Sequence, residues 1–231
     1  MRKIAPIAML LIQAAGFAAC ARADDTARAV PAPIFDEPRA SARGTEVAVL
    51  SGGCFWGMQG LFEHVKGVRE VIAGYAGGSA QTAHYAVVSS GTTGHAESVR
   101  ITFDPSMVSY GTILRVFFSV AHDPTELDRQ GPDEGNQYRS DVFFSNPAQE
   151  KIARAYLAQL ARSHAFPDRI VTRLDRFVGF YPAEGYHQDY LLRNPDSVYI
   201  VINDLPKIAN LKRLYPNLYR ETPVRLASAW R

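Results

Sequence analysis

From Glu46 onward the chain alternates short apolar stretches with amphipathic ones, and this alternation narrows the fold more than any other feature of the sequence. Residues 46–50 have strand character, closed by Ser51-Gly52-Gly53, and residues 55–65 have helical spacing. Residues 68–75 predict a strand running into Gly77-Gly78, and 97–103 alternate as a second strand. Residues 109–120 carry apolar side chains at helical spacing. Strand character returns over 138–144. An amphipathic helix comes next over 147–164, with Asn146 as its cap, and 170–174 predict a last strand. The order β-α-β-β-α-β, then α-β, predicts a two-layer α/β sandwich. Its core is of the ferredoxin-like split βαβ kind, with added helices and long C-terminal loops. Residues 123–135 and 179–185 are polar and glycine-bearing, the kind of loop on which functional side chains sit.

The N-terminus has a different character. Arg2 and Lys3 precede a mostly apolar run over residues 4–19, interrupted by Pro6 and Gln13, and Ala21-Arg22-Ala23 offers a small-x-small cleavage site. Residues 1–23 are therefore expected to be an export signal to the periplasm. A second reading takes Phe17-Ala18-Ala19-Cys20 as a lipoprotein box, with cleavage before Cys20 and a lipid anchor. Residues 24–44, rich in Ala, Arg, Asp and Pro, are expected to be a linker or loosely packed arm, residues 45–220 the domain, and 221–231 a tail. The chain has 25 Lys and Arg against 23 Asp and Glu; without Arg2, Lys3 and Arg22 the balance is 22 to 23, a net charge of −1. No basic surface for nucleic acid is implied.

The chain contains two Cys. Cys20 is cleaved away or lipid-modified under either reading of the leader, which leaves Cys54 as the thiol of the domain. In an oxidising compartment a lone Cys has no partner to staple; it is either inert and buried or it is the chemistry. Gly52-Gly53-Cys54-Phe55-Trp56-Gly57 puts that thiol at a helix N-terminus, where free N–H groups and the helix dipole favour a thiolate. The glycines, Gly53 next to the thiol above all, permit close approach of a substrate, and Phe55 and Trp56 would form an apolar wall. Glu97, after the turn-rich Ser90-Gly91-Thr92-Thr93-Gly94, could be a buried, protonated acid or a solvated surface residue. Tyr85, Tyr138 and Tyr186 lie in or beside polar loops, where their hydroxyls could hold an oxyanion-like atom. The six His show no metal-ligand spacing, and no metal is expected.

Gly53-Cys54-Phe55-Trp56-Gly57 resembles the signature of the A-type peptide-methionine sulfoxide reductases. Further segments appear in family order: Gly74-Tyr75-Ala76-Gly77-Gly78, Gly94-His95-Ala96-Glu97, His122-Asp123-Pro124-Thr125, Gln130-Gly131-Pro132-Asp133, Gln137-Tyr138-Arg139-Ser140 and Glu184-Gly185-Tyr186-His187-Gln188. The resemblance implies reduction of methionine-S-sulfoxide, free or in proteins, to methionine. It makes Cys54 the nucleophile and Glu97 the acid, Tyr85 and Tyr138 the donors to the sulfoxide oxygen, and Asp133 an acidic residue of the same pocket. Phe55 and Trp56 become the cage for the methyl group. No cofactor is implied. With no further Cys in the chain after Cys54, the resemblance is to the single-cysteine type, in which an external thiol, thioredoxin-like or small, restores the enzyme. A monomer is expected. The competing reading is a single-cysteine thiol peroxidase or redox sensor, but the Pro-x-x-x-Thr-x-x-Cys run of the peroxiredoxins is absent before Cys54.

Overall fold

The computed structural model describes residues 27–226, so the expected export signal and Cys20 lie outside the described residues. The strands are β1 (Glu46–Ser51), β2 (Val68–Ala76), β3 (Ala96–Phe103), β4 (Arg129–Gln130), β5 (Asp133–Glu134), β6 (Asp141–Phe144), β7 (Arg173–Arg176) and β8 (Phe180–Pro182). The helices are α1 (Phe55–Glu63), α2 (Tyr85–Val88), α3 (Tyr110–Val116), α4 (Pro147–Ser163), α5 (Tyr190–Arg193) and α6 (Leu205–Leu214).

Six strands form one sheet in the order β7-β6-β1-β3-β2-β8, and β4 and β5 form a separate hairpin. Each of the central four is antiparallel to its neighbours among them, and they arise from two interleaved crossovers, β1-α1-β2 and β3-α3-β6. This is the split βαβ arrangement, since each crossover leaves room for a strand of the other. The helix α4 then returns the chain to β7, parallel to β6. In β1 the alternation sends Ala48 and Leu50 into the main core with Phe62, Tyr75, Ile101 and Phe117, and Val49 to a smaller cluster with Ala76 and Phe143.

Local chemistry fixes the helix ends. The Ser109 hydroxyl accepts the Thr112 N–H at 3.2 Å and caps α3, and Asn146 Oδ1 accepts the Gln149 N–H at 2.9 Å and caps α4, with Pro147 in its first turn. His164 ends α4 in the left-handed conformation at φ 50°. The last turn of the 109–120 helix widens into a π-helical turn over Phe117–Ala121, all of it buried.

Four expectations are corrected. The chain beyond Asp189 is not a set of long loops, because α5, a π-helical turn over Ile200–Asp204 and α6 occupy it. Pro206 looks like a breaker in the sequence but sits in the first turn of α6, where its missing N–H costs no hydrogen bond. The strand expected from residue 138 begins only at Asp141, after a 3-10 turn over Asn136–Tyr138. Residues 179–185 contain the edge strand β8, paired antiparallel with β2. Residues 27–44 have no helix or strand, but they form a docked arm rather than a loose one. Val30 is buried, the Arg115 side chain donates to its carbonyl at 3.0 Å, and Tyr156 donates to the Pro31 carbonyl at 2.7 Å. No helix among the described residues is long and apolar enough to cross a membrane.

The pairing of β8 depends on Gly74. A Cβ there would lie 2.5 Å from Phe180 Cζ and closer still to the Tyr181 carbonyl oxygen. Gly74→Ala should therefore lower the unfolding free energy by about 1–3 kcal/mol, as overpacking against backbone does. Urea denaturation checks this, and a stability equal to that of the parent chain would show that β8 can yield without cost.

Candidate active site

The turn between β1 and α1 places the thiol. Gly53 has φ +87°, and a Cβ on it would meet Gln130 Cγ at 2.6 Å, so its space is filled by the β4 side chain rather than open to a substrate. Its N–H donates to the Tyr138 carbonyl at 3.2 Å, which draws the segment bearing Tyr138 against the start of α1. Cys54 is the N-cap residue of α1, a free thiol that is 8 % exposed.

Glu97 lies on β3 and is 3 % exposed. Its Oε2 accepts the Phe55 N–H at 3.0 Å, one of the unpaired donors at the head of α1. Burial pushes its pKa up to about 8, against the Phe55 hydrogen bond and with help from the negative Asp133 and Asp204, so at neutral pH it holds a proton. Cys54 behaves differently from expectation. Burial raises its pKa well above the usual thiol value, and Glu97 and Asp204 raise it further. The Trp56 N–H is the one contribution that lowers it. The helix N-terminus is outweighed, and the resting group is a thiol, not a thiolate.

Tyr85, at the start of α2, and Tyr138, at the end of its 3-10 turn, have their pKa values raised by burial first and by Glu97 next, with Cys54 also contributing to both. The two tyrosines therefore share one electrostatic neighbourhood with the thiol and the acid. Asp133, on β5, accepts a short hydrogen bond from Tyr199. Trp56 stacks on Tyr190 at 3.8 Å between ring centroids and meets Tyr199 edge-on at 5.9 Å, while the Phe55 ring is 5.9 Å from Tyr75. The sequence-derived set of Cys54, Glu97, Tyr85, Tyr138, Asp133, Phe55 and Trp56 thus converges on the head of α1. Tyr186 is exposed, with its ring packed on His187 at 4.1 Å.

A family profile described as "Peptide methionine sulfoxide reductase" matches residues 46–217, which span this whole arrangement. The chain belongs to that family. It is 56 % identical over 189 residues to "Peptide methionine sulfoxide reductase MsrA 2" of Mesorhizobium japonicum, covering 82 % of this chain and 97 % of that one. Among solved structures it is similar to methionine sulfoxide reductase A of Corynebacterium diphtheriae, at 32 % identity and TM-score 0.56, covering 73 % of this chain and 87 % of that one. It is also similar to reduced Mxr1 of Saccharomyces cerevisiae, at 29 % identity and TM-score 0.60, covering 69 % and 91 %.

Several residues of this reductase site could not be singled out from the sequence. Trp56 Nε1 donates to His187 Nδ1 at 3.1 Å, so the ring proton of His187 belongs on Nε2, and burial pulls its pKa down to about 4, which keeps it neutral. His187 also packs against the rings of Phe55 and Tyr85, at 5.0 and 4.5 Å. Its neighbour Gln188 donates to the Ala73 and Ala183 carbonyls at 2.8 and 2.9 Å and accepts from Gln59 of α1 at 3.2 Å, which ties the wall to the sheet. Asp204 is fully buried close to α1: a Cβ on Gly57 would come 2.5 Å from its carboxyl carbon. The motif histidines His95 and His122 are structural. His95 bridges the Gly78 N–H and the Ser79 carbonyl, and His122 bridges the Phe117 carbonyl and the Ser140 hydroxyl. Among the described residues no group of three or more His, Cys, Asp and Glu side chains could hold a metal ion.

The elevated thiol pKa has a direct readout. Alkylation of Cys54 by iodoacetamide should keep rising about tenfold per pH unit through pH 9, because only the thiolate reacts. Glu97→Gln removes a negative neighbour and should speed alkylation at pH 9. A plateau below pH 8 in the parent chain would place the thiolate in the resting site.

Proposed function

We propose that this chain reduces methionine-S-sulfoxide, free or in proteins, to methionine, with Cys54 as the nucleophile and an external thiol as the source of electrons. The observation that carries the reading is the pairing of a buried thiol with a buried, protonated carboxyl across one N–H of α1. A sulfoxide oxygen leaves sulfur only once it is protonated. Glu97 can supply that proton at pH 7 because its carboxyl is still protonated there. As Cys54 sulfur attacks the sulfoxide sulfur, the thiol proton passes to the Glu97 carboxylate, and the oxygen ends on Cys54 as a sulfenic acid with methionine released. The tyrosine hydroxyls of Tyr85 and Tyr138 face the charge that gathers on that oxygen. Phe55 and Trp56, with Tyr190 and Tyr199 around the indole, suit a methyl group that can make no hydrogen bond.

Cys54 is the thiol of the described residues, so in the single-cysteine reading its sulfenic acid waits for a thiol from outside, thioredoxin-like or small. The leader sequence supports action after export, in the periplasm. The peroxidase reading is not favoured, since a resting thiol of raised pKa is a poor partner for peroxide.

Cys54→Ser should abolish methionine formation from a methionine sulfoxide peptide with dithiothreitol, while circular dichroism stays that of the parent chain. The pH profile should track Glu97. The working form is protonated, so kcat/KM should hold below about pH 8 and fall above it, and Glu97→Gln should lose most of the rate at every pH. A rate that climbs through pH 9 would remove Glu97 from the acid role. With one equivalent of substrate and no reductant, intact mass should show one added oxygen; a loss of two hydrogens would instead mean a disulfide and end the single-cysteine reading.

A further inference from the structure

Glu184 precedes the 3-10 turn Gly185–His187 and joins three pieces of the site wall. Its Oε1 accepts the Tyr85 N–H at 2.9 Å and its Oε2 accepts the Tyr75 hydroxyl at 2.8 Å. Its backbone carbonyl accepts the His187 N–H at 2.9 Å. Burial by itself would raise the Glu184 pKa. The Tyr85 N–H, the residue's own N–H and the Tyr75 hydroxyl outweigh burial and lower it, so at neutral pH Glu184 is a carboxylate with one oxygen for each donor. The sheet edge holds its backbone in turn, since the Ala183 N–H donates to the Ala73 carbonyl at 2.9 Å.

Both donors stand beside the sulfoxide chemistry. The helix α2 is a single turn of four residues in which only Val88 is buried, and His84 before it supplies no side-chain cap. A turn that short has little helical stability of its own, and the N–H at its head needs a partner from outside. Glu184, 99 residues further along the chain, is that partner, and it thereby fixes where Tyr85 stands. Tyr75 pairs with Glu97 across β2 and β3, which sets the two side chains next to each other on one face of the sheet. The Tyr75 ring is fully buried, 5.9 Å from that of Phe55. One carboxylate therefore holds both the donor to the sulfoxide oxygen and the neighbour of the acid.

Building on the reductase reading, we propose that Glu184 is a positioning residue for sulfoxide reduction, whose side chain sets the Tyr85 hydroxyl against the oxygen of the bound sulfoxide. It acts through Tyr85 and not on the substrate. The role needs acceptor geometry rather than charge. A glutamine in its place keeps an oxygen for the Tyr85 N–H, and its amide donates to the Tyr75 hydroxyl, which turns to accept. An alanine leaves both donors without a partner and α2 without its anchor. A small shift of Tyr85 then suffices, because a displacement of about 1 Å in a catalytic constellation can cost on the order of a hundredfold in rate.

The test is a double-mutant cycle on the rate constant of methionine formation, measured in one turnover with a methionine sulfoxide peptide and no reductant, so that regeneration plays no part. Glu184→Ala should lower the rate constant about tenfold, while the peptide concentration giving half the maximal rate changes by less than about twofold. Glu184→Gln should stay within about twofold of the parent chain. Tyr85→Phe should itself cost about tenfold or more. Adding Glu184→Ala to Tyr85→Phe should cost less than about a further twofold, because the hydroxyl that Glu184 positions is already gone. Three results would overturn the positioning role: Glu184→Ala at the parent rate, Glu184→Gln as slow as Glu184→Ala, or a full additive loss in the double variant. If circular dichroism shows that Glu184→Ala does not fold, Glu184→Asp takes its place in the cycle, one methylene too short to reach both donors. Tyr85→Phe at the parent rate, or no methionine from the parent chain, would instead overturn the reductase reading on which the proposal rests.

Discussion

One hydrogen bond organises the chemistry, the 3.0 Å contact from the Phe55 N–H to Glu97. It joins the head of α1 to β3, elements that meet only because the two βαβ crossovers interleave and bring β1 and β3 side by side. A donor at a helix start would ordinarily settle a carboxylate, and it does lower the Glu97 pKa. Burial at 3 % exposure outweighs it, and the result is a carboxyl that is anchored yet still protonated near neutrality. An exposed glutamate in the same register would be ionised and could not donate.

The polar motifs divide into chemistry and support once their partners are known. Gln188 and Arg139 bridge carbonyls of different segments, while His95 bonds the backbone of Gly78 and Ser79, and His122 the Phe117 carbonyl and the Ser140 hydroxyl. Arg139 reaches the Gly94 and Asn136 carbonyls, each at 3.1 Å, and pairs with the buried Asp141. That clamp holds the strand start before Glu97 against the turn that bears Tyr138. His122 and His187 are both kept neutral by burial, and His187 accepts the Trp56 indole N–H. The support therefore consists of hydrogen-bonded, mostly uncharged groups, which cost less to bury than ions.

The central strands and the long helices are legible in the sequence because their apolar periods are complete and their caps are standard, as with Asn146-Pro147 at α4. The start of β6 is not, since Tyr138 and Arg139 look as strand-like as residues 141–144, yet Arg139 is tied to the distant Gly94 carbonyl and the strand begins only at Asp141. The edge strand β8 is three residues long and ends in Pro182, too short to carry a period. The C-terminal helices are hidden by Pro206 and by the exposed Val201 and Ile202, which break the amphipathic pattern. Motif residues of the site are readable because local spacing marks them. Tyr199 and Asp204 matter through contacts between segments far apart in the chain, or through a glycine that merely leaves room, and spacing does not record either; His187 falls in a motif, but its bond to Trp56 is not written there. The protonation of the thiol escapes the sequence for a related reason: a helix dipole can be read from sequence, but desolvation cannot.

That buried thiol has a bearing on survival. A reductase that repairs oxidised methionine works where oxidants are abundant, and a standing thiolate would be consumed by them between substrates. Burial holds Cys54 as a thiol, and in the mechanism proposed above it gives up its proton only when a bound sulfoxide draws on Glu97. On that mechanism reactivity is tied to occupancy of the site, and the residue that spends itself on repair is shielded from the damage it reverses.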